Sequence, residues 1–269
     1  MKKALLIGIN SYKGAVLNGC VNDVMMMQKL LNGLDYQVKA LVEKNATKSN
    51  IMEEFELMLA DSKPGDSLVF HYSGHGSQVP DKSGDESDSL DECILPINFT
   101  WDNVILDDDI NDLLERHNTG AHVEVLLDAC HSGSGTRSVL IEPNKAHTRY
   151  NRYIQPPKEL FDHITNRNVK VAPIKLDNVV LFSGCKDDQT SSDAYIDSQY
   201  NGAFTYAFCK NFRINNSRVS SLASIRMYMK ANGYEQEPQL TCSLAKKGTP
   251  PFSAEGSLLK SLKFWEWQS

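Results

Sequence analysis

Two short segments each end an apolar run on a reactive side chain: residues 67–78, SLVFHYSGHGSQ, and residues 122–135, HVEVLLDACHSGSG. Each run is rich in β-branched and aromatic residues and then breaks into glycine and serine. That is the sequence form of a buried strand emptying into a loop. The first run delivers His75 and the second delivers Cys130. In open α/β sheets such strand ends are where active sites collect. If the two strands are neighbours, an imidazole and a thiol meet at one sheet edge, and that pairing makes a thiolate nucleophile.

The rest of the chain supports such a sheet. Residues 3–10, 36–42 and 178–183 read as further strands, with a short one near 239–243. Helices are expected at 20–34, ended by Gly33, from a Thr47 cap through Ala60, and at 107–117, 201–212 and 219–232. Strands alternating with helices predict an α/β fold, with a mostly parallel sheet of about six strands covered by helices on both faces.

Two stretches interrupt this rhythm. Residues 80–112 hold eleven Asp or Glu against a single Lys, with few strand or helix signals before residue 107. Residues 134–177 are polar and basic, with eight Lys or Arg against four Asp or Glu. Loops this long within a compact domain are functional or disordered. The second reads as an exposed connector, open to proteolytic nicking, between a part spanning 1–133 and a part spanning 178–269.

A net charge of -6 argues against a nucleic-acid surface. No apolar run approaches the roughly 18–20 residues that span a membrane. The opening MKKALLIG is too short and lacks a cleavage site for a signal peptide, so it reads as the first strand. Without an export signal, Cys20, Cys93, Cys130, Cys185, Cys209 and Cys242 read as reduced thiols of a cytoplasmic protein. None forms a C-x-x-C pair.

A free cysteine is mostly protonated at neutral pH and needs a base or a positive neighbour. His75 lies between Gly74 and Gly76, with little local steric cover, and the glycines free backbone N–H groups for a developing oxyanion. His71 and His75 are four apart, but the segment reads as a strand and lacks the glutamate of a zinc helix motif. His131 is a rival base, although adjacent strand residues point to opposite faces. Neither turn fits G-x-S-x-G.

HYSGHGSQ and LLDACHSGSG resemble the histidine and cysteine motifs of the caspase-like clan, and specifically of metacaspases and bacterial orthocaspases. KKALLIGINSYKG…LNGCVNDV, DSLDECILP…ILDDDI and LFSGCKDDQTSSDAY…NGAFTYAF extend the similarity over most of the chain. The resemblance implies a caspase-like sandwich made of a large-subunit-like part, the basic connector and a small-subunit-like part. It implies a cysteine endopeptidase working as a dyad, with Cys130 the nucleophile and His75 the general base and acid. Gly76 and Cys130 would supply the oxyanion-hole amides. No cofactor is required for this chemistry, and the resemblance implies a monomer. A catalytically silent interaction module and a legumain-like peptidase are the competing classes. The intact His and Cys speak against the first, and GCVND and the small-subunit match against the second.

By the same resemblance, Cys20, Asp23, Ser73 and Asp128 line the pocket for the residue before the cut. Asp128 lies two residues before Cys130, so strand alternation puts both on one face. Two carboxylates in one pocket bind a cation, and arginine can do so bidentately. Peptides and proteins cut after Arg or Lys are the expected substrates. Arg137, Lys145, Arg149 and Arg152 in the connector are then self-cleavage candidates. Many metacaspases need calcium, for which Asp85, Asp88, Asp91, Asp107, Asp108 and Asp109 are candidate ligands. Arg137 stands near where the family often has an aspartate, so calcium independence is the expectation. The acidic stretch would then steer basic substrates by its field.

Overall fold

The computed structural model describes residues 1–81, 90–130, 139–140, 149–161, 176–186 and 189–253. The chain runs through strand β1 (Lys2–Gly8), helix α1 (Cys20–Asn32), β2 (Gln37–Val42), α2 (Lys48–Ala60) and β3 (Ser67–Ser73). It continues with β4 (Gly76–Pro80), β5 (Leu90–Ile94), β6 (Ile105–Leu106), α3 (Asp107–Arg116) and β7 (His122–Asp128). Beyond lie β8 (Val139–Leu140), β9 (Arg149–Asn151), β10 (Val179–Ser183), β11 (Ser192–Ile196) and β12 (Gln199–Gly202). Helices α4 (Ala203–Asn211) and α5 (Arg218–Ala231), strand β13 (Gln239–Thr241) and the short α6 (Leu244–Lys247) complete the order.

Six strands form the central sheet in the order β13-β10-β7-β3-β1-β2, parallel except for β13. Both faces are buried, and period-two alternation divides the apolar residues between them. Ala4, Leu6, Val69, Leu126 and Phe182 face Val24 and Met27 of α1 and Phe204 and Phe208 of α4. Leu5, Ile7, Phe70, Val123 and Val125 face Phe55 and Leu59 of α2 and Leu113 of α3. Each such side chain contributes about 1.5–3 kcal/mol on burial.

The neighbouring pair β3 and β7 runs in a register that places Ser73 opposite Asp128. His75 and Cys130 each follow two residues later, so one register brings both strand ends to the same edge. At the far end of β7, the fully buried Arg218 of α5 donates to both oxygens of Glu124, at 3.2 and 3.1 Å. Glu124 also accepts the amide of Phe252 at 2.6 Å. This cluster ties the C-terminal helices to the central strand.

Two sequence expectations need correction. The acidic stretch is not structureless: β5 and β6 lie in it and pair with β4 in a second sheet, where Asp91 is buried opposite Val79. The run LDECI sets two adjacent acids, Asp91 and Glu92, inside a strand, and they mask its apolar residues. Nor is the basic stretch a wholly exposed connector. Strand β9 joins β11 in a third sheet, and Arg152, just beyond it, is fully buried. A buried arginine is invisible to a composition argument because its burial depends on distant carboxylates.

Candidate active site

His75 and Cys130 are both buried at the carboxyl edge of β3 and β7. The His75 Nε2 lies 2.7 Å from the carbonyl oxygen of Ala15, which only accepts, so Nε2 carries the proton. The Nδ1 atom has no hydrogen-bond partner among the described residues and is the nitrogen left to act as a base. Burial lowers the imidazole pKa to about 4, so the ring is neutral near pH 7. The expected lack of steric cover does not hold. The Tyr12 ring packs edge-on at 4.7 Å between centroids, and His75 donates its amide to the Tyr12 hydroxyl at 3.2 Å. Tyr72 donates to the His75 carbonyl at 2.7 Å. The amide of Ser191 donates to the Cys130 sulfur, an interaction that stabilises a thiolate.

The amides of Gly76 and Cys130 converge on one atom, the carbonyl oxygen of Arg152, at 2.9 and 3.2 Å. Two N–H donors aimed at one carbonyl oxygen have the geometry an oxyanion hole needs. Gly76 is required there, because a Cβ would stand 2.2 Å from the Cys130 carbonyl oxygen. The flanking backbone is held as well. The Arg152 amide donates to the Ser191 carbonyl at 3.1 Å, and Ile154 donates to Gly76 at 3.1 Å.

The Arg152 side chain enters a closed acidic pocket. Its Nη2 donates to Asp23 at 2.8 Å and to Asp193 at 3.1 Å. Its Nη1 donates to the Ser73 hydroxyl at 2.8 Å and lies 3.2 Å from Asp128 Oδ1. All three carboxylates are fully buried. Each also has partners independent of the arginine. Asp23 accepts from the Gly202 amide and Ser73, Asp128 from Ser191 and Thr205, and Asp193 from the amides of Asn18 and Gly19. Thr205 and Gly202 form the N-terminus of α4, whose dipole favours negative charge. The pocket is therefore built before it is filled.

Burial pushes the Asp23 carboxyl up to about 7, with the Asp128 charge adding to the rise and Arg152 opposing it. Burial raises Asp193 as well, again against the pull of Arg152. Three buried carboxylates around one guanidinium leave the pocket short of positive charge, and this suits it to a cationic side chain.

Three of the four expected pocket residues, Asp23, Ser73 and Asp128, thus contact Arg152, and the fourth, Cys20, is buried. Sequence reasoning missed Asp193, Gly202, Ser191 and the Ala15 carbonyl. Asp193 lay within DDQTSSDAY, but nothing local marked it as facing the pocket. His71 is no metal ligand: its Nε2 lies 3.2 Å from the Thr205 hydroxyl. His131, Arg137, Lys145, Asp85 and Asp88 lie outside the described residues.

Among the described residues, no three His, Cys, Asp or Glu side chains come together to hold a metal ion. The remaining candidates have other places in the fold. Asp91 is buried in β5, Asp107 and Asp108 open α3, and Asp109 pairs with Lys48 at 2.8 Å. The described acidic residues therefore do not by themselves assemble a calcium site.

A doubly covered parallel sheet carrying a thiol, an imidazole and a preformed oxyanion hole at one edge defines a caspase-like cysteine peptidase. The chain belongs to the caspase-domain family, whose "Caspase domain" model matches residues 1–248, and is of the metacaspase type. It is 35% identical over 288 residues to Metacaspase-1 of Meyerozyma guilliermondii, covering 90% of this chain and 69% of that protein. It is 37% identical over 286 residues to Metacaspase-1A of Aspergillus niger, covering 90% and 70%. The solved structure of protein GSU0716 from Geobacter sulfurreducens superposes with a TM-score of 0.69 at 27% identity, over 94% of this chain and 99% of that one.

Proposed function

We propose that this cysteine peptidase cleaves after arginine or lysine with a Cys130–His75 dyad, and that its first substrate is its own Arg152–Tyr153 bond. One observation carries this reading: the Arg152 carbonyl oxygen sits between the Gly76 and Cys130 amides while its guanidinium fills the acidic pocket.

The chemistry follows from the positions. Neutral His75 takes the Cys130 proton on Nδ1, and the thiolate attacks the Arg152 carbonyl carbon. The negative charge that develops on oxygen is held by the two amides already bonded to it. The imidazolium then protonates the departing amine of Tyr153, leaving an acyl-enzyme on Cys130. Water, deprotonated by the same imidazole, releases Arg152 with a free carboxylate. The Ala15 carbonyl holds the ring in the tautomer this sequence needs, so a third carboxylate is unnecessary.

Of the four self-cleavage candidates, geometry favours Arg152. Arg149 is tied outside the pocket, its Nη1 donating to the Gly233 carbonyl at 3.0 Å. Intact-mass spectrometry of the wild type and of Cys130→Ala tests the reading. Two fragments joining after Arg152 are expected only for the wild type. An uncut chain in both proteins, or a cut elsewhere that survives Cys130→Ala, would sink it. Fluorogenic peptides ending in Arg, Lys or Asp test the specificity, and a preference for Asp would refute it.

A further inference from the structure

We propose that the enzyme has a second basic-selective subsite, formed by Tyr234 and Gly233, which takes arginine three residues before the cleaved one, at P4. The inference rests on reading Arg152 as the residue cut after, P1.

The segment preceding Arg152 is bound as an added strand. Asn151 lies opposite Ser192 and Tyr150 opposite Asp193 in an antiparallel pair. Backbone pairing of this kind is blind to side chains, so selectivity beyond P1 must come from what the side chains meet. The first residue of the strand, Arg149, meets a cation-binding surface. Its guanidinium carbon lies 4.4 Å from the centre of the Tyr234 ring, within reach of a cation–π interaction. Its Nη1 donates to the Gly233 carbonyl at 3.0 Å.

That surface exists independently of Arg149. Gly233 takes φ +71° just past the end of α5, a conformation suited to glycine. The Tyr234 amide returns to the Met229 carbonyl at 3.0 Å, which fixes the turn and with it the ring. Helix α5 ends at Ala231, so its negative dipole end lies beside the site. An aromatic face, an outward carbonyl and a helix C-terminus all favour a cation. Arginine can stack and donate at once through its planar fork, whereas the single ammonium of lysine cannot satisfy both groups as well. Arg149 and Arg152 thus occupy two separate basic-selective sites on one strand, and substrates with arginine at both P4 and P1 are preferred.

The test uses the processed wild-type enzyme with tetrapeptides sharing one fluorogenic leaving group: Arg-Tyr-Asn-Arg, Ala-Tyr-Asn-Arg, Glu-Tyr-Asn-Arg and Arg-Tyr-Asn-Ala. The expected kcat/KM for arginine over alanine at P4 is roughly tenfold, carried mainly by KM, with glutamate poorer still. Tyr234→Ala should reduce that ratio to within about twofold, while Tyr234→Phe, which keeps the ring, should retain most of it. Equal rates for arginine and alanine at P4 in the wild type, with P1 arginine still required, overturn the second subsite alone. Equal cleavage of Arg-Tyr-Asn-Ala and Arg-Tyr-Asn-Arg refutes the P1 reading instead. If none of the peptides is cleaved, both fall.

Discussion

The carbonyl oxygen of Arg152 lies 3.2 Å from the amide nitrogen of Cys130. The residue proposed as the nucleophile already donates its own N–H to a peptide carbonyl, and that carbonyl belongs to the same chain. The arginine brought there is fully buried among three carboxylates. On the proposed reading, the uncut chain blocks its own site with the segment it would cut.

Replacing Arg152 should separate recognition from chemistry. Arg152→Lys keeps the charge but loses the two-nitrogen fork, and should self-cleave at least about tenfold more slowly. Arg152→Gln leaves three carboxylates without their cation and should abolish cleavage at this bond. Time courses on denaturing gels measure both, and unchanged rates for the glutamine variant would refute the pocket assignment.

The acidic pocket should make substrate affinity depend on pH. A carboxyl raised by burial is protonated below its pKa, and a neutral Asp23 cannot pair with a guanidinium. Burial holds the Asp23 carboxyl at about 7, so the group changes charge near neutrality. KM for an arginine peptide should therefore rise as pH falls through neutrality. By contrast kcat, governed by an imidazole that stays neutral down to about 4, should change little over the same range. Asp23→Asn should raise KM throughout and flatten its pH dependence. A KM that stays constant between about pH 6 and 8 in the wild type contradicts the assignment.

Gly202 forms the floor of the pocket. A Cβ there would stand 2.2 Å from Asp128 Oδ2, 2.4 Å from Arg152 Nη1 and 2.6 Å from Asp23 Oδ2. Gly202→Ala should raise KM for arginine peptides between roughly fivefold and a hundredfold, matching about 1–3 kcal/mol of overpacking. Steady-state kinetics with a circular-dichroism check of folding would measure this.

Tyr12 is a positioning residue for His75. Its hydroxyl accepts the His75 amide and donates to the Leu95 carbonyl at 2.8 Å, while its ring packs against the imidazole. Tyr12→Phe keeps the ring and leaves that buried amide without its partner, at a cost of about 1–3 kcal/mol. The expected result is a kcat lowered by roughly tenfold with KM unchanged, because the pocket is untouched. Partial unfolding would also lower the apparent kcat at constant KM, so active-site titration and circular dichroism must show a fully folded variant; a raised KM would contradict the assignment.

The Arg218–Glu124 pair should control stability without touching chemistry. Burial alone would raise the Glu124 carboxyl, but hydrogen bonding from His122 and the charge of Arg218 leave it below the ordinary range. A depressed carboxyl contributes stability above the ordinary glutamate pKa and loses it as pH falls through its folded value. The wild-type melting temperature should thus drop at acid pH. Arg218→Met leaves a buried unpaired charge, costs about 3–5 kcal/mol near neutrality, and reverses the slope, stability then falling as pH rises. Thermal melts across pH test the sign.

Much of this was legible in one dimension because strands and helices are local. Alternation in residues 67–73 and 122–128 located β3 and β7, and the glycine-serine breaks after them located both reactive side chains. Two-residue spacing placed Ser73 with His75 and Asp128 with Cys130. Residues 90–94 were missed because the adjacent acids Asp91 and Glu92 read as a charged loop, although Asp91 is buried opposite Val79. Asp193 was missed because its role depends on how β11 approaches α1, and no periodicity within DDQTSSDAY encodes that approach.

The order of elements and the doubly buried sheet were legible in the sequence through patterns a few residues long. The pairing of thiol with imidazole and the pocket residues Cys20, Asp23, Ser73 and Asp128 were instead expected from the resemblance to metacaspases. The sequence also offered four basic residues of one stretch as self-cleavage candidates. Only the tertiary structure puts one of them, Arg152, in the acidic pocket. That placement requires Asp23, Asp128 and Asp193, from three separate elements, to surround one guanidinium while the amides of Gly76 and Cys130 hold its carbonyl. Burying a charge is tolerable only where its partners are already assembled, and that condition is set by packing between distant segments.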